Sequence, residues 1–361
     1  MIIMKKLILG IETSCDDTSV SILKGDPGIY NDPPEVLAHS FFSQETILKK
    51  WGGVVPEIAS RNHLAKLVPL LEETFLNSGT KPEDISLIGV TTHPGLLGPL
   101  LTGLNVAKTM SLLFQVAITP VNHLFAHLEA IHLKKQLKYP YLGLLISGGH
   151  SLYLLVNSES DFKIIGTTID DAAGEAFDKG GKLLKLGYPA GKLIDELAKT
   201  GDPEKYEFPI GLRGSKNANL SFSGTKTSLR QFLEKNPDHL HDGTGESYSQ
   251  KLRDVCASYQ KAIIEALSLK LKFALKKGME VTGIELPVVV GGGVACNSAL
   301  RKVLVKRYNN VNFVEPRFCT DNGTMIANYA LRTWNMQVAY PDCLLLDAKS
   351  RYINKQNFQT I

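Results

Sequence analysis

The sequence predicts a two-lobed α/β protein made by duplication, and three observations predict it. The 361 residues exceed what one small core needs and suit two α/β lobes. A strand–turn–strand pattern over Leu7–Leu23 returns over Tyr141–Val156, as a repeat of shape rather than of letters. Short apolar strands alternate with helical periods along the rest of the chain. The lobes are expected at 1–139 and 140–361. An irregular segment falls around 200–246, and the chain crosses back to the first lobe near its C-terminus.

Taken in order, Lys6–Ile11 reads as a strand, Glu12–Asp17 as a polar tight turn and Thr18–Leu23 as a second strand. Gly25–Pro34 is turn-forming. From Ile58 to Phe75, Leu64, Leu67, Val68, Leu71 and Phe75 recur at helical spacing and mark one face. Ile85–Thr92 is a buried strand, Pro94–Gly103 a Gly/Pro loop and Leu104–Phe114 a helix. Val116–Val121 is a short strand, with a helix after Asn122. In the second half, Tyr141–Ile146, the turn Ser147–His150 and Ser151–Val156 repeat the opening pattern. Lys182–Leu197 has helical spacing interrupted at Gly187–Gly191. Thr200–Glu246 is polar and Gly/Pro-rich, which suits an irregular surface segment. Leu252–Leu275 is a long amphipathic helix, and Leu286–Val290 a strand followed by Gly291–Gly293 and a helix.

Hydrophobic residues make 43% of the chain and charged residues 21%, the composition of a globular protein. Forty Lys and Arg against 36 Asp and Glu leave a net charge of +4, which permits a nucleic-acid partner without requiring one. Lys49–Lys50, Lys134–Lys135 and Lys276–Lys277 can touch phosphates, but taken singly each reads first as a solvated helix end. The five cysteines are odd in number and lack C-x-x-C spacing, which argues against a disulfide framework and for a reducing compartment. The apolar opening run is too short for a signal peptide, and no stretch approaches the roughly 20 apolar residues of a membrane span. A cytoplasmic protein is expected.

His123 and His127 stand four apart in HLFAH, so a helix places both imidazoles on one face. That spacing supplies two nitrogen ligands to one metal, although it also arises on surfaces by chance. Leu124 occupies the position where an H-E-x-x-H protease keeps its general-base Glu, which removes the engine of peptide hydrolysis. Glu129 falls on a different face. Asp321, in CTDNG before the helical run Met325–Leu331, is the candidate third ligand or else a helix N-cap. Two His and a carboxylate leave positions open for a substrate oxygen, with iron and zinc both suited. Three turns that follow apolar strands, Glu12–Asp17, Ser147–Gly149 and Gly291–Gly293, can bring backbone amides close to phosphates. None fits the P-loop or dinucleotide fingerprints. In IDDAAGEAFDKGGK, Asp171, Glu175 and Asp178 are expected on one helix face, with small residues between them that admit close approach.

The stretches GIETSCDDTSVSI, WGGVVPEIASRNH, NHLFAHLEA, LLISGGHS, IDDAAGEAFDKGGKLLKLGYPAG, SFSGTKT, GGGVACNSALR and FCTDNGTMIA together span Gly10 to Ala327. In them the chain resembles the bacterial TsaD family of tRNA threonylcarbamoyladenosine transferases, within the ASKHA (actin-like, sugar kinase, Hsp70) fold group. The resemblance implies a duplicated ASKHA ATPase fold with a ligand cleft between its lobes. It implies transfer of a threonylcarbamoyl group from threonylcarbamoyl-AMP to the exocyclic amine of the adenosine 3′ of the anticodon, in tRNAs reading codons that start with A. It assigns one divalent metal, Fe2+ or Zn2+, to His123, His127 and Asp321. It assigns the adenylate to Leu145, Ile146, Ser147, Gly148, Gly149, Asp178, Gly191, Asp195 and Asn297. Implied partners are tRNA, the TsaB paralogue, the TsaE ATPase and a separate synthase that makes the adenylate. If a base is used, Asp16 is the candidate; an Asp in a tight turn is otherwise structural. The departures are Trp51, His93, Pro99 and Ala190, which bear on loop shape. The rival readings are a metallopeptidase, a non-catalytic scaffold of this fold and a sugar kinase or other ATPase.

Overall fold

The structure, a computed structural model, describes residues 5–28, 32–241 and 247–351. They form two compact units. Among the described residues, the first runs to Tyr139 and includes Asn157–Phe162 and 317–351; the second is Pro140–Val156 and Lys163–Pro316.

The first unit holds β1 (Lys6–Glu12), β2 (Asp17–Gly25), β3 (Glu35–Ser43), α1 (Glu45–Leu48), α2 (Pro56–Ser78), β4 (Leu87–His93), α3 (Leu97–Phe114), β5 (Ile118–Asn122) and α4 (His123–Glu129). Its sheet has the order β3-β2-β1-β4-β5, antiparallel through β1, β2 and β3 and parallel from β1 to β4 to β5. The second unit holds β6 (Tyr141–Ile146), β7 (Ser151–Val156), β8 (Phe162–Thr167), α5 (Ala173–Leu183), α6 (Gly191–Ala198), α7 (Ser223–Lys235), α8 (Gln250–Thr282), β9 (Val288–Gly291), α9 (Ser298–Arg307) and β10 (Val311–Phe313). Its sheet reads β10-β9-β6-β7-β8. Again the first strand pairs antiparallel with the second and parallel with β9, so the two sheets share one connection scheme. The chain then adds α10 (Pro316–Cys319) and α11 (Gly323–Arg332).

Burial explains the strands. Ile8, Leu9 and Ile11 of β1 and every residue of β6 and β7 are inside, as in sheets covered on both faces. Each buried Leu, Ile or Val side chain among them contributes about 1.5–3 kcal/mol. α11 packs on β1, β2, β4 and α4. It can lie that close because β1 presents Gly10 to it: a Cβ there would stand 2.1 Å from the Gly323 carbonyl oxygen and 2.6 Å from the Ala327 nitrogen. A bare strand thus brings the segment before α11, with Asp321, onto the first sheet.

The structure corrects four expectations and removes one alternative. The Pro94–Gly103 loop is largely helix, since α3 starts at Leu97; Pro99 falls in the first turn, where its missing N–H breaks no helical bond. Burial of Leu100, Leu104 and Ala107 offsets the roughly 1 kcal/mol cost of each helical glycine. On α2, Leu64 and Val68 are 71% and 51% exposed. The buried face is His63, Leu67, Leu70, Leu71 and Thr74, because His63 is satisfied by Thr18 Oγ1 at 2.8 Å and the Cys15 carbonyl at 3.0 Å. Within 200–246 lies α7, whose core face is only Thr225, Leu229 and Leu233, too sparse to read as a period; residues 242–246 lie outside the described residues. Asp171 precedes α5 and shares no helix face with Glu175 and Asp178. Asp321 is not a cap: the Asn322 side chain accepts from the Met325 amide and caps α11. Strands β3, β8 and β10 were not anticipated.

Candidate metal centre

Asn122 ends β5 and caps α4, its Oδ1 accepting from the amides of Leu124 (2.9 Å) and Phe125 (3.3 Å). The cap fixes His123 as the first helical residue and His127 one turn on. Both are buried, 6% and 1% exposed, with ring centroids 4.6 Å apart. Their Nε2 atoms lie 3.2 Å apart, and Asp321 Oδ1 stands 3.1 Å from His127 Nε2 and 3.5 Å from His123 Nε2. Donors each about 2.0–2.2 Å from one ion lie at such separations. Among the described residues these three form the cluster able to hold a metal ion.

The surroundings fix His123 further. Glu12, fully buried at the end of β1, accepts from the Ser14 amide (2.6 Å) and Thr91 Oγ1 (2.6 Å) and faces His123 Nδ1 at 3.1 Å. Ser14 Oγ is 3.2 Å from the same nitrogen. Nδ1–H therefore donates to the carboxylate, and Nε2 turns toward Asp321. His127 Nδ1 is buried with no hydrogen-bond partner among the described residues, so its proton can sit there when Nε2 takes a cation.

The electrostatics also suit a cation. Burial pushes the His123 pKa down, but the charges of Asp321 and Glu12 outweigh it and raise it to about 9. Burial and the His123 charge hold His127 below its usual value. Asp17 is pushed up to about 8 by burial and by Asp16 and Asp321. Burial and the same carboxylates push the Cys15 thiol well up, which keeps it from acting as a thiolate. Carboxylates and burial crowd this turn enough that Asp17 holds its proton at neutral pH.

The second unit has the opposite character. The turn after β6 closes by the Ser147 amide donating to the His150 carbonyl at 2.8 Å. A Cβ on Gly148 or Gly149 would meet nothing within 4 Å, so the turn faces open space. Gly174 at the start of α5 touches it from behind: a Cβ there would lie 2.5 Å from the Ser147 carbonyl oxygen and 2.8 Å from Gly148 Cα. Asp178 Oδ1 accepts from the Ala190 amide at 2.9 Å, just before Gly191 opens α6. Asp195 accepts from the Ser298 amide and hydroxyl, both at 3.0 Å. Asn297 caps α9 and donates to Gln260. Leu145 and Ile146 are core residues of β6.

A family profile described as tRNA N6-adenosine threonylcarbamoyltransferase (TsaD) matches residues 35–328. A protein of that name from Streptococcus pneumoniae is 41% identical over 334 residues, 92% of this chain and 94% of its own length. One from Anaeromyxobacter sp. is 42% identical over 326 residues, covering 89% and 92%. One from Geotalea uraniireducens is 42% identical over 325 residues, covering 89% of each. The chain belongs to the tRNA N6-adenosine threonylcarbamoyltransferase family. It is a transferase that threonylcarbamoylates tRNA. Among solved structures, the activator of 2-hydroxyisocaproyl-CoA dehydratase from Clostridium difficile matches with a TM-score of 0.51 at 14% identity, over 91% of this chain and 96% of that one. Full-length HypF matches with 0.53 at 14% identity, over 96% of this chain and 47% of that one. These matches show the two-lobed α/β ASKHA fold.

Two parts of the candidate metal centre escaped the sequence reading. Glu12 had a signal, a charge ending the apolar run KLILGIE, but its contact with His123 spans 111 residues. Glu129 was read only as facing away from the histidines. It meets buried Arg332 of α11 at 2.7 Å, while Tyr139 Oη donates to Glu129 and Arg332 donates to Tyr139 Oη, both at 2.7 Å. This pair joins α4, which bears the histidines, to the helix that follows Asp321. Among the described residues no helix is long and apolar enough to cross a membrane.

Proposed function

We propose that this family member transfers the threonylcarbamoyl group of threonylcarbamoyl-AMP to N6 of the adenosine 3′ of the anticodon, in tRNAs reading codons that start with A. The observation that supports this reading best is the convergence of His123 Nε2, His127 Nε2 and Asp321 Oδ1 beside the carboxylate-rich turn after β1. In this proposal the three residues hold one divalent ion, Fe2+ or Zn2+. When bound, that ion supplies a Lewis acid for an acyl carbonyl.

The adenylate is assigned to the second unit. The outward turn Ser147–Gly149 receives the phosphate on backbone amides, with Leu145 and Ile146 as its rigid stem. Asp178 or Asp195 accepts ribose hydroxyls, with Gly191 and Asn297 at the start of α6 and α9 beside them. The adenine amine attacks the carbamoyl carbon, the bond to the phosphate oxygen breaks and AMP leaves with that electron pair. The amine is weakly nucleophilic, so positioning and charge stabilisation supply most of the rate. Asp16, in the turn after β1, is the base candidate for the amine proton.

The TsaB paralogue, the TsaE ATPase and a separate adenylate-making synthase are proposed partners, in the cytoplasm. The test is mass spectrometry of tRNA nucleosides after incubation with threonylcarbamoyl-adenylate and these partners, with and without a chelator. Threonylcarbamoyladenosine at the position 3′ of the anticodon, lost on chelation and restored by metal, is expected. Equal product in metal-free protein would sink the metal role. No product with the complete set would sink the substrate assignment.

A further inference from the structure

The second unit carries a basic cavity that the proposed chemistry leaves unused. It has a volume of about 330 Å³ and lies between α5, which contributes Lys179, Lys182 and Leu183, and α7, which contributes Lys226, Thr227 and Arg230. We propose that this cavity seats a stretch of the phosphodiester backbone of the RNA substrate.

Two of the four cations, Lys179 and Lys226, are held in place before any ligand arrives. Asp171 accepts from Lys179 at 2.7 Å through one carboxylate oxygen and from Lys226 through the other. Its side chain is only 13% exposed, against 42% for Lys179 and 26% for Lys226, so the carboxylate lies beneath and the ammonium groups face out. Asp170 pins the start of α7, accepting from the Phe222 amide (2.8 Å) and the Ser223 hydroxyl (2.8 Å). Side chains already ordered lose less entropy when they meet an anion.

The charge balance favours an anion at the mouth. Lys182 makes no ion pair among the described residues, and Arg230 has only a loose, exposed contact with Glu234 at 3.8 Å. Glu175 pairs with Lys179 at 2.6 Å from the exposed side. Four cations therefore face one buried and two peripheral carboxylates. The walls are lysine and arginine stems with Leu183, which suit the apolar edges of ribose and base, while the charged ends suit phosphates. A free phosphate would use the rim and leave the walls idle. RNA is the polyanion at hand, so the inference rests on tRNA being the substrate. α5 links the two functions: its first turn supports the Ser147–Gly148 turn and its last turns line the cavity.

The test uses full-length protein carrying Lys182→Ala and Arg230→Ala, both exposed positions, with tRNA binding followed by fluorescence anisotropy across a salt series. The double variant is expected to bind tRNA roughly tenfold more weakly at moderate salt, with the log–log salt slope reduced by about 1.5. Removing the same charge on α8 with Lys276→Ala and Lys277→Ala is expected to change neither. Wild-type affinity and slope in the Lys182/Arg230 variant overturn the proposal. So does an equal loss in the α8 variant, which means diffuse charge, or a loss of AMP binding with tRNA affinity intact, which means a nucleotide site. If the wild-type protein binds no tRNA, the substrate reading fails as well, and that result is distinct from the others.

Discussion

The turn between β1 and β2 and the turn between β6 and β7 occupy the same place in two sheets of the same connectivity, yet they are built for opposite charges. The first is crowded with carboxylates and backed by histidines, and there burial, with the charges of Asp16 and Asp321, pushes Asp17 up to about 8. The second is two glycines facing open space. Their supports differ in kind too. Glu12, Thr91 and Ser14 hold the first through buried hydrogen bonds, whereas the second rests on the missing side chain of Gly174. Duplication fixes where a loop emerges, and the residues placed on it decide whether it suits a cation or a phosphate.

If the halves are specialised in this way, each can be broken alone. The largest effect is expected from His123→Ala with His127→Ala: product formation falls about 1000-fold, roughly 4 kcal/mol of transition-state stabilisation. Metal content by mass spectrometry should fall with it, while AMP binding, measured by calorimetry, stays as in the wild type. Gly174→Val attacks the other half. Its side chain would displace the Ser147–Gly148 turn, and such misplacement costs about 100-fold in kcat/KM. Here bound metal should persist and AMP binding should weaken; loss of metal as well would mean the halves do not separate. Smaller again is Glu12→Gln, which keeps the shape but weakens the acceptor for His123 Nδ1. Metal affinity should drop about 10- to 100-fold with AMP binding unchanged.

These variants follow what the sequence could and could not reveal. The histidine pair was legible because a helix repeats every 3.6 residues and the two imidazoles sit one turn apart. Asp321 was legible only as one of two readings, and the structure separates them because Asn322 takes the cap. The paired hairpins were legible because strand and turn chemistry are local. Glu12, Gly10 and Arg332 were not, since each acts through a contact far along the chain: Glu12 with His123, Gly10 with α11, Arg332 with Glu129. On α2 the period was right and the face wrong, because a satisfied histidine and a threonine share the interior with leucines. The acidic run straddles the start of α5: Asp170 and Asp171 precede the helix and anchor Lys179, Lys226 and α7 instead of sharing a helix face with Glu175 and Asp178.

The smallest expected effect concerns the scaffold behind the cation half. His132 is fully buried beside the Glu129–Arg332 pair, 3.7 Å from Glu129 Oε2. Burial, with the Arg332 charge, lowers its pKa to about 4 against the pull of Glu129. The unfolded chain takes up a proton near pH 6.5 and the folded chain only near 4, so this residue's contribution is full above 6.5 and is lost as pH falls between them. Between pH 7.5 and 5.5 that amounts to about 1 kcal/mol. Asp17, raised to about 8, acts in the opposite sense over the same range, so the wild-type profile alone does not isolate the histidine. The difference between wild type and His132→Asn does. Denaturant titrations at the two pH values should show the wild type losing about 1 kcal/mol more than the variant on acidification. Parallel profiles would mean that His132 stays neutral in both states or charges in both. Hydrogen exchange would then place the effect: protection should change in β1–β5 and α11, and not in β6–β10, if the charged network supports only the cation-binding half.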